Sequence, residues 1–145
     1  MRHIVITAAL LAATLSIPAV AQDAAPDLTG TWNVTFEAVG FRKPATDGSP
    51  THYARTIEAA FSIDWQEGAR VAGREIDQTS STEHPLVQGE QIVGVIGFDN
   101  ATLHIVDDNG LHDCRILSPD SMQCIYRHIL PERSDTARSV WTKQK

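Results

Sequence analysis

The residues in this chain best suited to chemistry fall in one short stretch: His112, Cys114, Cys124, Tyr126 and His128. His112 and Cys114 are two residues apart, and so are Cys124, Tyr126 and His128 in turn. In an extended chain, residues two apart share a face. Two imidazoles and a phenol on one face can bind a small molecule through hydrogen bonds, or form a rim satisfied by water and backbone. The cysteines can close a disulfide in an oxidising compartment, or lie buried as free thiols. They do not form a Cys-x-x-Cys redox motif.

Other chemistries find little support. The histidines after residue 21, at positions 52, 84, 104, 112 and 128, form no His-x-x-x-His or His-Glu-x-x-His pattern. No metal and no cofactor is expected. Asp107-Asp108-Asn109-Gly110 lacks the alternating ligands and closing Glu of a calcium loop, so it reads as a turn. There is no Gly-x-Ser-x-Gly elbow and no glycine-rich phosphate loop. Glu83-His84, adjacent in sequence, reads as surface decoration rather than an acid–base pair. An enzyme on this scaffold would need a buried acid–base pair, and the sequence displays none. The expectation is a non-enzymatic protein with no catalytic residue.

For the cluster to form, the 110s and 120s must pair as a hairpin. Ser118-Pro119-Asp120-Ser121 supplies the turn, with proline preset for its φ. Setting Ile116 opposite Met122 brings Cys114 opposite Cys124, within disulfide reach, and His112 opposite Tyr126. One face then carries His112, Cys114, Ile116, Met122, Cys124, Tyr126 and His128. The other carries Asp113, Arg115, Gln123 and Arg127 and reads as solvated, so the first face points inward.

The rest of the chain shows the same period of two. Trp32, Val34, Phe36 and Ala38 alternate with polar residues. Glu58–Gln66 places Phe61, Ile63 and Trp65 on one face. Further strands are expected at Arg70–Ile76, Ile92–Phe98, Thr102–Val106, Leu111–Leu117, Met122–Ile129 and Arg138–Lys143. Asp108-Asn109-Gly110 is a hairpin signal, because Asn-Gly adopts positive φ cheaply. Gly40–Thr56, Asp77–Glu90 and Pro131–Thr136 read as loops. Tyr53–Phe61 is the only helix-like stretch, and its β-branched and aromatic continuation argues for a strand.

Eight strands and no helix predict an all-β domain over residues 28–145. An open sheet would leave two edges exposed to pairing. Closing the first strand on the last removes both, giving a closed eight-stranded antiparallel up-and-down barrel. A β-sandwich is the alternative.

Residues 1–21 read as a signal peptide. Met1-Arg2-His3 is followed by an apolar run to Ile17, and Ala19-Val20-Ala21 precedes a cleavage site. The run is short for a membrane span, which takes about 20 residues. No second such run follows, so the protein is expected to be periplasmic or secreted and not membrane-spanning. Residues 22–27 read as a flexible tail. The chain carries 12 basic and 18 acidic residues. This excess of negative charge repels phosphate backbones and argues against nucleic acid as a partner.

Leu28-Thr29-Gly30-Thr31-Trp32 resembles the Gly-x-Trp opening strand of lipocalins and the Gly-Thr-Trp opening of avidins. Both families are secreted eight-stranded barrels that hold small ligands. The avidin Asn two residues after the opening Trp is Val34 here, and no tryptophan lies between Trp65 and Trp141, so the resemblance does not extend to biotin. Gly94-Val95-Ile96-Gly97 and Cys124-Ile125-Tyr126-Arg127 also resemble segments of small uncharacterised bacterial exported proteins, which implies no function. The barrel resemblance implies that Trp32 plugs one end, with Arg138 stacked on its ring. It further implies a small apolar or amphipathic ligand inside, with Phe61, Ile63, His112, Tyr126 and His128 as lining residues. The alternative is an interaction or inhibitor module that contacts a protein partner through Gly40–Thr56 and Asp77–Glu90.

Overall fold

The computed structural model describes residues 24–44, 48–78 and 89–145. Residues 1–21, expected to be a signal peptide, the expected cleavage point and Glu83-His84 lie outside the described residues. Eight strands follow in order: β1 (Gly30–Arg42), β2 (Thr51–Glu67), β3 (Arg70–Gln78), β4 (Gln91–Ile96), β5 (Thr102–Val106), β6 (Gly110–Ser118), β7 (Ser121–Ile129) and β8 (Arg133–Lys143). Each pairs antiparallel with the next, and β1 pairs with β8 to close the barrel. The closed-barrel expectation therefore holds over the sandwich. No helix among the described residues is long and apolar enough to cross a membrane.

Side-chain alternation decides what faces inward. Trp32, Val34, Phe36 and Ala38 are all buried on β1, as the period of two requires. The β6–β7 register is the expected one: Ile116 faces Met122, Cys114 faces Cys124 and His112 faces Tyr126. Cys114 and Cys124 form a disulfide across the ladder, with their Cα atoms 3.9 Å apart. The bond is consistent with an oxidising compartment.

Several boundaries differ from the sequence expectation. Gly40–Arg42 and Thr51–Thr56 are ladder, not loop: Gly40 pairs with Tyr53, and Arg42 with Thr51. Likewise β8 begins at Arg133, so residues 133–136 belong to a strand. These segments are mostly polar or exposed. A ladder needs only backbone N–H and C=O groups, so it continues past the point where hydrophobic alternation stops. Conversely β4 ends at Ile96, leaving Phe98 almost fully exposed in the turn. The Asn109-Gly110 hairpin forms without positive φ. Asp107 instead accepts the Asn109 N–H at 3.0 Å, and the left-handed residues are Asn100 and Gly68 at turns and Gly30. Trp65 does not share the inward face of Phe61 and Ile63. A register shift between Ile63 and Trp65 turns it outward, to 47% exposure.

The barrel has a sealed end. Leu28, Trp32, Leu103, Met122 and Trp141 are completely buried there, with Ile63 beside them. The Trp32 indole N–H donates to the Leu28 carbonyl at 3.0 Å, so the ring fills the end without stranding its polar atom. Gln66 ties down the approach, accepting the Leu28 N–H and donating to the Pro26 carbonyl. The cation over Trp32 is Lys143, with Nζ 5.6 Å from the ring centroid, and not Arg138. The register explains the correction: Lys143 faces Trp32, while Arg138 faces Glu37 on the outer surface and bonds it at 2.6 Å.

Candidate functional site

The opposite end is polar and less tightly closed. Phe36, Ala38, Ile57 and Ala59 keep 7–8% of their surface, against 0% for Trp32 and Trp141. Inward positions here come from the ends of β1 and β7, the starts of β2, β6 and β8, and the β5–β6 turn. They bring His112 and Tyr126 against Phe36 and Phe61, with His128 beside Tyr126, in a cluster called the cup below.

His112 is the centre of the cup. Its ring lies 4.5 Å from Tyr126, 6.1 Å from Phe36 and 6.2 Å from Phe61, centroid to centroid. The side chain is 1% exposed, and Nε2 sits 3.3 Å from Asp107 Oδ2. An ionised carboxylate only accepts, so Nε2 carries the proton and Nδ1 is a bare acceptor in the neutral ring. Nδ1 is buried and has no hydrogen-bond partner among the described residues. Burial pushes the Asp107 carboxyl up, but the hydrogen bonds from His112 and the Asn109 N–H outweigh it and hold the group below its ordinary value.

His128 belongs to a second cluster. Its Nδ1 lies 3.2 Å from Asp135 Oδ2 and 3.1 Å from Arg133 Nη2. A protonated Nδ1 donates to Asp135, and a bare one accepts from Arg133, so the ring serves either partner by changing tautomer. The Arg133 guanidinium is itself 3.0 Å from Asp135, which also accepts the Tyr53 hydroxyl. Burial, reinforced by that hydrogen bond and the Asp135 charge, raises the Tyr53 phenol. His128 Nε2 is buried without a partner among the described residues.

Two further carboxylates complete the rim. Glu75 is 8% exposed on β3. Glu90 lies 3.4 Å from the Asn109 amide, and its carboxyl is raised by burial and by the charge of Asp107. Tyr126 is raised strongly, first by burial and then by the charges of Asp107, Glu90, Asp135 and Glu75. It stays a neutral phenol throughout the physiological range.

Of the residues named from sequence, Phe61, His112, Tyr126 and His128 meet at this end. Ile63 does not. It pairs with Gly30 and Gly73 at the sealed end, two residues along the same face from Phe61. Arg138 lies outside the barrel. Sequence reasoning missed Asp107, Asp135, Arg133, Glu75, Glu90 and Tyr53. Asp135 was findable: Trp141, Ser139, Ala137 and Asp135 keep the inward period of β8 without a break.

The outer wall of β5 to β8 and β1 also carries a groove of ≈ 630 Å³. Its lining includes the exposed pairs His104–Asp113 and Glu37–Arg138. Exposed pairs of this kind contribute little to stability.

No protein-family model and no curated protein matches the sequence. Among solved structures, the chain is similar to a redesigned beta barrel, with a TM-score of 0.51 and 13% identity over 81% of this chain and 92% of that one. It is also similar to the S-type phycobiliprotein lyase of Guillardia theta, with a TM-score of 0.42 and 11% identity over 81% and 88%. Identities this low speak to the fold alone, and only the first is close enough to do so.

Proposed function

We propose that this is an exported, non-enzymatic binding protein that takes a small amphipathic ligand into the polar end of its barrel. The observation that carries the reading is His112: a buried ring among Phe36, Phe61 and Tyr126, with one nitrogen held by Asp107 and the other unpartnered among the described residues. An unpaired buried polar atom costs about 1–3 kcal/mol. A ligand donor group that meets it recovers that cost, while the aromatic floor takes the ligand's apolar part.

The test uses an uncharged apolar fluorescent probe. Truncating Tyr126 to Ala should weaken its binding while far-UV circular dichroism stays native. Changes in the 43–50 connection should leave it alone. Absence of probe binding, with a protein partner captured through that connection, would move the reading to an interaction module.

A second reading has one observation in its favour. His112 oriented by Asp107 is the kind of buried acid–base pair that a proton-transfer enzyme requires. Turnover of a bound carbonyl compound, lost in His112→Gln, would establish it over simple binding.

A further inference from the structure

The groove on the outer wall follows from the ladder register. Cys114 faces Cys124, and Cys124 faces Ser139, so three inward side chains stand in one row across β6, β7 and β8. Along that row only main chain faces outward, and it forms the floor of the groove. Outward side chains form a bank on either side. Asp113, Ile125 and Arg138 follow one another in register along the first bank, and Arg115, Gln123 and Val140 along the second. The volume, ≈ 630 Å³, lies in the range of small-molecule sites.

The banks differ in what their polar groups already hold. On the first, Asp113 accepts from His104 Nδ1 at 2.9 Å and from Arg127, and Arg138 donates to Glu37 at 2.6 Å. On the second, Arg115 and Gln123 are directly opposed, and neither side chain has a partner among the described residues. Arg115 offers a planar fork of donors and Gln123 an amide N–H beside it; a carboxylate accepts from both. Next to them, Ile125 and Val140 stand on opposite banks, 43% and 49% exposed. Beyond these, Glu37 lines the far end, and Glu58 accepts the Thr35 hydroxyl there at 2.8 Å. Two carboxylates at that end disfavour a ligand with a second acid group.

We propose that this groove is a second ligand site, separate from the cup, for a small amphipathic monocarboxylate. Its carboxylate lies on Arg115 and Gln123, and its apolar part runs along Ile125 and Val140. This assignment is independent of the binding reading above.

Octanoate, octan-1-ol and octylamine, titrated at pH 7 into the oxidised protein, share one tail and differ in the head. Octanoate should bind tightest and should shift the Arg115 Nε–H and Gln123 side-chain amide signals in nitrogen-resolved NMR spectra. Added salt should weaken it. Arg115→Gln should cost octanoate about tenfold, the effect of one charge-assisted hydrogen bond. Val140→Glu, also at an exposed position, should abolish its binding, with circular dichroism checking the fold of both variants. Tyr126→Ala should leave it unchanged. Octan-1-ol or octylamine bound as tightly as octanoate would overturn the carboxylate assignment. A short extended peptide bearing one glutamate, bound more tightly than octanoate, would overturn the small-molecule assignment. Octanoate binding that falls in Tyr126→Ala and survives Arg115→Gln would place the ligand in the cup and overturn the groove. Absence of octanoate binding would also overturn the groove, and would leave the neutral-probe test of the cup standing.

Discussion

Gly110 lies directly beneath the ring of Tyr126. A Cβ at position 110 would fall 2.6 Å from the phenol oxygen and 2.7 Å from Cζ. The phenol therefore owes its place in the cup to a missing side chain on the neighbouring strand. Gly110→Ala should push the ring aside, at a cost of roughly 1–3 kcal/mol as for other overpacked sites. The near-UV circular dichroism of Tyr126 should change, and probe binding should fall with it. An unchanged spectrum would mean that the ring is not seated there.

The sealed end predicts an unequal pair of substitutions. Trp32→Ala removes a fully buried ring and should cost about 3–5 kcal/mol. Arg138→Ala removes one half of an exposed ion pair and should cost less than about 1 kcal/mol. Chemical denaturation of both variants checks the contrast. A large loss at Arg138 would reinstate it as the cation of the tryptophan plug in place of Lys143.

Cys114 and Cys124 close a loop of sequence separation 10, for which the chain-entropy model gives roughly 2–3 kcal/mol. The Cys114→Ser, Cys124→Ser double variant should lose about that much. The oxidised parent should gain two hydrogens in intact mass on reduction. Two thiols that alkylate in the unreduced, denatured protein would contradict the bond.

Glu90 and Asp107 should push stability in opposite directions with pH. The Glu90 carboxyl is raised, so its neutral form suits the fold; the stability present below its ordinary value of 4.5 is lost as pH rises through the raised one. Asp107 is lowered, so its contribution is present above its ordinary 3.8 and is lost as pH falls through the depressed value. Glu90→Gln should thus melt higher than the parent at pH 7, with the difference vanishing near pH 4. A variant that melts lower at pH 7 would show that the charged form of Glu90 supports the fold.

Much of this was legible in the residues. The inward face of β6 and β7, down to Cys114 opposite Cys124, follows from the period of two once the Ser118–Ser121 turn is placed. So does the closure, because eight strands connected in sequence leave two edges that pair only with each other. The polar half of the site was harder to see. Asp107 looked like a turn residue and is one, accepting the Asn109 N–H; that it also holds His112 depends on how the turn folds back over the barrel mouth. Arg133 fell in a stretch too polar to announce a strand, and Asp135 is reached only by running the inward period of β8 back from Trp141. Arg138 was misassigned by five positions along β8, since a cation's spacing from Trp32 is fixed by the closing register, which no local pattern encodes.

That closing register has a kinetic side. Every ladder but one joins strands adjacent in sequence, and these can zip from their turns outward. The β1–β8 seam joins Trp32 to Lys143 and Arg42 to Arg133, so it must bring together segments separated by most of the domain. Loop-closure entropy makes such long-range pairing slow to form. The disulfide, inside the β6–β7 hairpin, lies off the seam and cannot hold it shut. Pairing β1 with β8 is therefore the step that completes the barrel, and until it is made Asp135 and Ala137 stand at an open edge of the polar end.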